Sequence, residues 1–147
     1  MSEAADQPIR YVHGLFCEDL RQEVGGTASY VGVHTESLQL DGGFPNLIRR
    51  LTVIAWIVYP VSEPDPGVTL KLEIPGGDEA EYILTREEAA EAKASDTPID
   101  PDITLNQSQV AIEFENIAVP QPGRLRLRVT AWGKTWTAAS LAIIAAA

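Results

Sequence analysis

One cysteine, two histidines and an absence of long apolar runs exclude several designs at once. Cys17 alone cannot build an internal disulfide framework, and a reducing, cytoplasmic compartment is its simplest home. The longest apolar stretch, Leu51 to Tyr59, is far short of the ~20 residues that cross a bilayer. Met1 to Asp6 is acidic and polar, without the positive charge and apolar core of a secretion signal. Basic residues are scarce: 11 Lys and Arg stand against 21 Asp and Glu, a net charge of −10. That sign repels nucleic-acid phosphates and anionic membranes. The expected partner is therefore another protein or a second copy, with neither nucleic acid nor membrane. A serine-nucleophile elbow, a phosphate loop and a dinucleotide fingerprint are all missing, so no catalytic residue and no cofactor is expected.

What is present suits a single folded unit. The chain has 147 residues, 45% apolar and 22% charged, too apolar for disorder and long enough to bury a core without disulfides or metals. Residues 1–8 read as a flexible start, 9–144 as one domain and 145–147 as a tail. Strands are expected at Arg10 to Phe16, Thr27 to Val33, Ser37 to Leu40 and Leu47 to Tyr59. The last is apolar on both faces, as a strand buried on two sides would be. Glu18 to Val24 reads as a turn or two of helix, closed by Gly25-Gly26. Val68, Leu70, Leu72 and Ile74 alternate with Thr69, Lys71 and Glu73, the pattern of a half-buried strand, and Glu79 to Leu84 follows. Thr85-Arg86-Glu87-Glu88 fits a capping box and predicts a short connecting helix over 86–93. Ser95 to Gln107 reads as a loop. Val110, Ile112 and Phe114 then alternate with glutamates, and Leu125, Leu127, Val129 and Ala131 with arginines. Trp132-Gly133-Lys134 predicts a tight turn into a last strand, Thr135 to Ile143. The sum is a mainly β protein, a two-layer antiparallel β-sandwich of immunoglobulin-like or C2-like type.

Two stretches carry resemblances. Phe16-Cys17-Glu18-Asp19-Leu20-Arg21-Gln22-Glu23-Val24-Gly25-Gly26, followed by Ser29-Tyr30-Val31-Gly32-Val33 and the strand ending at Pro60, resembles a family of short uncharacterised bacterial proteins. Their shared opening is a Cys-acid-acid-aliphatic-Arg run and a Gly-Gly pair; the likeness spans about the first 60 residues and implies no activity. Pro122-Gly123-Arg124-Leu125-Arg126-Leu127-Arg128-Val129, with Gly133-Lys134, is similar to the closing hairpin of immunoglobulin-like sandwiches. Many of those place an aromatic where this chain has Leu125, so a tyrosine-corner hydrogen bond is not implied there.

The candidate chemistry is thin. A nucleophilic Cys17 needs a base within about 3 Å. A hairpin across 17–26 sets His34 opposite Ile9, roughly 26 Å away, and His13 sits roughly 13 Å along the same strand; a buried, inert cysteine is expected. A zinc site from His13, Cys17, Asp19 and His34 lacks compact nitrogen and sulfur ligands. Asp96, Asp100 and Asp102 share one loop, and Glu63 and Asp65 another. These carboxylates are candidate calcium ligands or ordinary turn formers. Arg124, Arg126 and Arg128 should share a strand face, where they either grip an anionic ligand or pair with Glu113 and Glu115 on the preceding strand. Trp132 and Trp136 flank a tight turn, to stack on a sugar or a protein or to cap the core. The reading is a non-enzymatic interaction or assembly module, with a calcium- or carbohydrate-binding module as its alternative.

Overall fold

The computed structural model describes residues 8–88 and 100–146. Its nine strands are β1 (Tyr11–Gln22), β2 (Ala28–His34), β3 (Ser37–Leu40), β4 (Asn46–Pro60), β5 (Val68–Glu73), β6 (Glu79–Leu84), β7 (Leu105–Val119), β8 (Gly123–Ala131) and β9 (Lys134–Ala145). They form two sheets, one in the order β2-β1-β4-β7 and the other β3-β9-β8-β5-β6. Every pairing is antiparallel except that of β3 with β9. The chain is thus a mainly β protein of two packed sheets. Among the described residues no helix is long and apolar enough to cross a membrane.

Alternation at period two builds the interior. Val68, Leu70 and Leu72 of β5 and Leu125, Leu127 and Val129 of β8 are buried against Val53, Ala55, Ile57 and Tyr59 of β4. Burying each large aliphatic side chain contributes about 1.5–3 kcal/mol. Thr69, Lys71 and Glu73 and the three arginines of β8 take the opposite faces, half-buried or exposed.

The second-side burial expected of β4 is real, and its cause lies in β1 and β2. Glu18 to Gln22, expected to be helical, continues β1 and pairs with β2 as far as Gln22↔Ala28; Gly25-Gly26 closes a hairpin instead of a helix. Gly32, at φ 65°, stands at the gap in that register, where a Cβ would fall 2.7 Å from the Glu18 side chain. Beyond this kink the hairpin reaches over the outer face of β4. Leu20 shares a small hollow with Thr52 and Ala111, and the Tyr30 ring lies edge-on 5.9 Å from Trp56 while its hydroxyl donates to Gln109 Oε1 at 3.2 Å. Ile54, facing away from the sandwich interior, is fully buried as a result.

Two further irregularities shape the layers. Asn116 has φ 54°, a conformation asparagine tolerates, and beside it the inward face of β7 passes from Ile112 and Phe114 to Ile117 and Val119. A β-bulge at Ala138 interrupts the β8–β9 register between Leu127 and Arg128, turning Ala138 inward against Gly14 of β1.

At the chain's other predicted features, Glu88 N–H donates to Thr85 Oγ1 at 3.2 Å and 86–88 form a helical turn. The remainder of the expected helix to 93, like residues 1–7 and Ala147, lies outside the described residues. Ala145 belongs to β9, and Ala146 N–H donates to Leu40 O.

Candidate functional site

The expected pairing of the β8 arginines with Glu113 and Glu115 does not occur, because β7 and β8 lie in different sheets. Arg128 Nε instead meets Glu73 Oε2 of β5 at 3.0 Å, and its Nη1 donates to Thr137 Oγ1. Arg124 and Arg126 share that outer face without an ion pair among the described residues. Glu113 is bound by Arg50, which bridges Glu113 Oε1 at 2.9 Å and Asp19 Oδ1 at 2.8 Å.

Trp132 and Trp136 cap the core. The two rings meet edge to face at 5.7 Å, Trp132 meets Tyr59 at 6.4 Å, and the Arg10 guanidinium lies 5.5 Å over Trp132. Lys134 Nζ lies 4.9 Å over Trp136. Both indoles are half-buried and stacked from within the chain.

The acidic loops serve turns. Asp65 Oδ1 accepts from Gly67 N–H at 3.0 Å, and its Oδ2 accepts from Tyr59 at 3.3 Å and from Ser108. Glu63 pairs with Arg10 at 2.8 Å. Asp100 Oδ1 accepts from Asp102 N–H at 2.9 Å; Asp96 lies outside the described residues. Among the described residues no three His, Cys, Asp or Glu side chains come together as a metal site.

Cys17 is sealed in the structure, and burial pushes its thiol above the ordinary value of 9.0. The expected separation from His34 is wrong in register: the hairpin sets His34 opposite Phe16 and Cys17 opposite Val33. Successive side chains point to opposite sides of a strand, and His34 makes no hydrogen bond to the thiol. Instead it borders a hollow of about 610 Å³ with Glu18, Asp19, Arg21, Arg49 and Arg50. Asp19 already holds both Arg21 and Arg50 there, so much of the charge is internally neutralised.

A cleft on the opposite flank has a different character. Among the described residues β7 pairs only with β4 and β6 only with β5, so within them both present a free edge on the same side of the sandwich. Between them opens a cleft of about 630 Å³, within the range of ligand-sized sites. Leu72, Ile74, Phe114 and Ile117 line it, and its ionisable lining is wholly acidic: Asp78, Glu79 and Glu115. Lys71 approaches Glu79 only at 3.9 Å, and among the described residues Asp78 and Glu115 have no cation partner. The apolar layer is also incompletely covered along this flank. Ile112, Phe114, Ile74 and Leu84 are half-exposed, and Tyr82 is 40% exposed. Sequence alone pointed elsewhere, because the cleft forms only where the rims of two separate sheets come level. The one visible signal was the length of the Val110 to Phe114 alternation, which marked a long strand without showing that its edge is free.

No family model, curated protein or solved structure matches this chain.

Proposed function

We propose that this protein is a non-enzymatic interaction module that accepts an extended polypeptide segment along the free edge of β7. The observation that carries the reading is the coincidence of that edge with the half-covered apolar layer beside it. β7 is 15 residues long, and an unpaired strand edge presents a row of N–H and C=O groups that favours pairing with another chain. Strand addition draws affinity from main-chain hydrogen bonds and specificity from pockets that receive alternate side chains. The cleft offers such a pocket. The sealed, protonated thiol of Cys17 supports the non-catalytic part of the reading, and a reducing cytoplasmic setting suits it.

The test is a lysine placed inward at the edge. Ile112→Lys puts a charge where an incoming strand must seat its apolar side chains, a device that protects natural edges. Ile83→Lys, on the outward face of β6 and already 56% exposed, is the control. Partner capture should be lost or reduced by the first substitution and kept by the second, with circular dichroism verifying both folds. A strict monomer that captures nothing, or a partner indifferent to Ile112→Lys, sinks the reading.

A further inference from the structure

Resting on the strand-accepting reading, we infer that the segment seated at this flank is basic and amphipathic, with apolar side chains alternating with lysine or arginine. A strand laid along β7 sends successive side chains to opposite faces. Those pointing inward meet Ile112, Phe114 and the apolar lining of the cleft, so they are aliphatic. Those on the other face run beside Glu113 and Glu115, and opposite charges set side by side across a sheet are favourable where like charges are not.

The state of each carboxylate sharpens the match. Glu113 is already held by Arg50 at 2.9 Å, whereas Glu115 on one lip and Asp78 on the other have no cation partner among the described residues. Among the described residues the lining contains no lysine or arginine to compete. The whole chain adds to the local field, since its net charge of −10 draws in a cationic segment and repels an acidic one. The same charge opposes a second copy of this chain as the occupant.

The experiment uses the full chain and three synthetic peptides, acetylated and amidated, alternating valine with lysine, serine or glutamate. Binding is followed by fluorescence and by amide exchange along β7. At low salt the Lys/Val peptide should protect β7 amides and bind at least about tenfold more tightly than Glu/Val, the gap closing as salt screens it. The paired substitution Asp78→Asn with Glu115→Gln, both at exposed positions, should weaken Lys/Val binding roughly tenfold and leave Ser/Val binding unchanged. Equal protection of β7 by all three peptides overturns the basic-partner inference while the strand-accepting edge stands. Lys/Val binding that ignores the paired substitution overturns it also. Protection of β7 by the protein's own dimerisation, seen as a concentration-dependent mass, assigns the flank to a second copy and overturns it. Protection by none of the peptides removes both readings.

Discussion

Gly14 of β1 lies against the Ile54 carbonyl of its partner strand β4 at a distance that leaves no room for a side chain. A Cβ built on Gly14 lies 3.4 Å from the Ala138 Cβ, 3.2 Å from Leu127 Cδ2 and 2.6 Å from the Ile54 carbonyl oxygen. The last is a backbone atom of the partner strand and cannot swing aside. Replacing glycine in a strand ordinarily gains about 0.5–1 kcal/mol from the unfolded state, whereas overpacking a fitted core costs about 1–3 kcal/mol. The cost should win. Gly14→Ala is expected to lower unfolding free energy by about 1–2 kcal/mol in urea titration; unchanged or raised stability would show that β1 shifts off the Ile54 carbonyl without resistance.

Asp65 ties three segments together, because its carboxylate accepts from Gly67 in its own turn, from Tyr59 of β4 and from Ser108 of β7. Tyr59 and Ser108 are 1% and 8% exposed, so water is a poor substitute for the lost acceptor. Removing one partner of a buried donor costs about 1–3 kcal/mol. Asp65→Ala should therefore destabilise by about 2 kcal/mol, and Ser108→Ala should cost much less once Asp65 is gone than in the native chain. Additive losses in that double-mutant cycle would mean the two groups act separately.

His34 sets a direction for pH. Burial lowers its pKa from the ordinary 6.5, against a smaller upward pull from Glu18. Below 6.5 the unfolded chain then binds more protons than the folded one, so this histidine's contribution is complete above 6.5 and declines as pH falls through that value towards the lower folded pKa. The urea midpoint of the native protein should drop over this interval more than that of His34→Gln. A native midpoint that rises relative to the variant on acidification would contradict the burial of the ring.

Sequence and structure agree where one strand's pattern decides the outcome. The β5 and β8 alternations and the two-sided apolarity of β4 were legible because each reports how that strand's own faces are buried. They diverge where pairing decides. Glu18 to Gln22 carries good helix formers, yet partnership with β2 overrides that weak local preference. Its register could not be placed without knowing that β1 runs on to Gln22. Adjacency in the chain offers Glu113 to the β8 arginines as one of two readings, but the connection crosses between layers, and Arg50 takes Glu113 while Glu73 takes Arg128. The cleft was illegible for the same reason: it belongs to Phe114 and Asp78 only once two sheet rims align.

Trp132 shows two opposed terms at one residue. Trp132 and Gly133 have φ 53° and 71°, the pair of left-handed residues of the two-residue turn that suits a hairpin and ordinarily favours Asn-Gly. Holding a bulky residue in that conformation costs about 1–2 kcal/mol, which Trp132→Asn should largely recover. Against this, the substitution removes an indole in contact with Tyr59, Trp136 and the Arg10 guanidinium. Full burial of such a ring is worth about 3–5 kcal/mol on truncation, and a half-buried one correspondingly less. Packing should win narrowly, with Trp132→Asn lowering stability by about 1 kcal/mol. A variant more stable than the native protein would show that the ring is kept despite its cost to the fold, and would return the Trp132/Trp136 hairpin to consideration as a recognition surface.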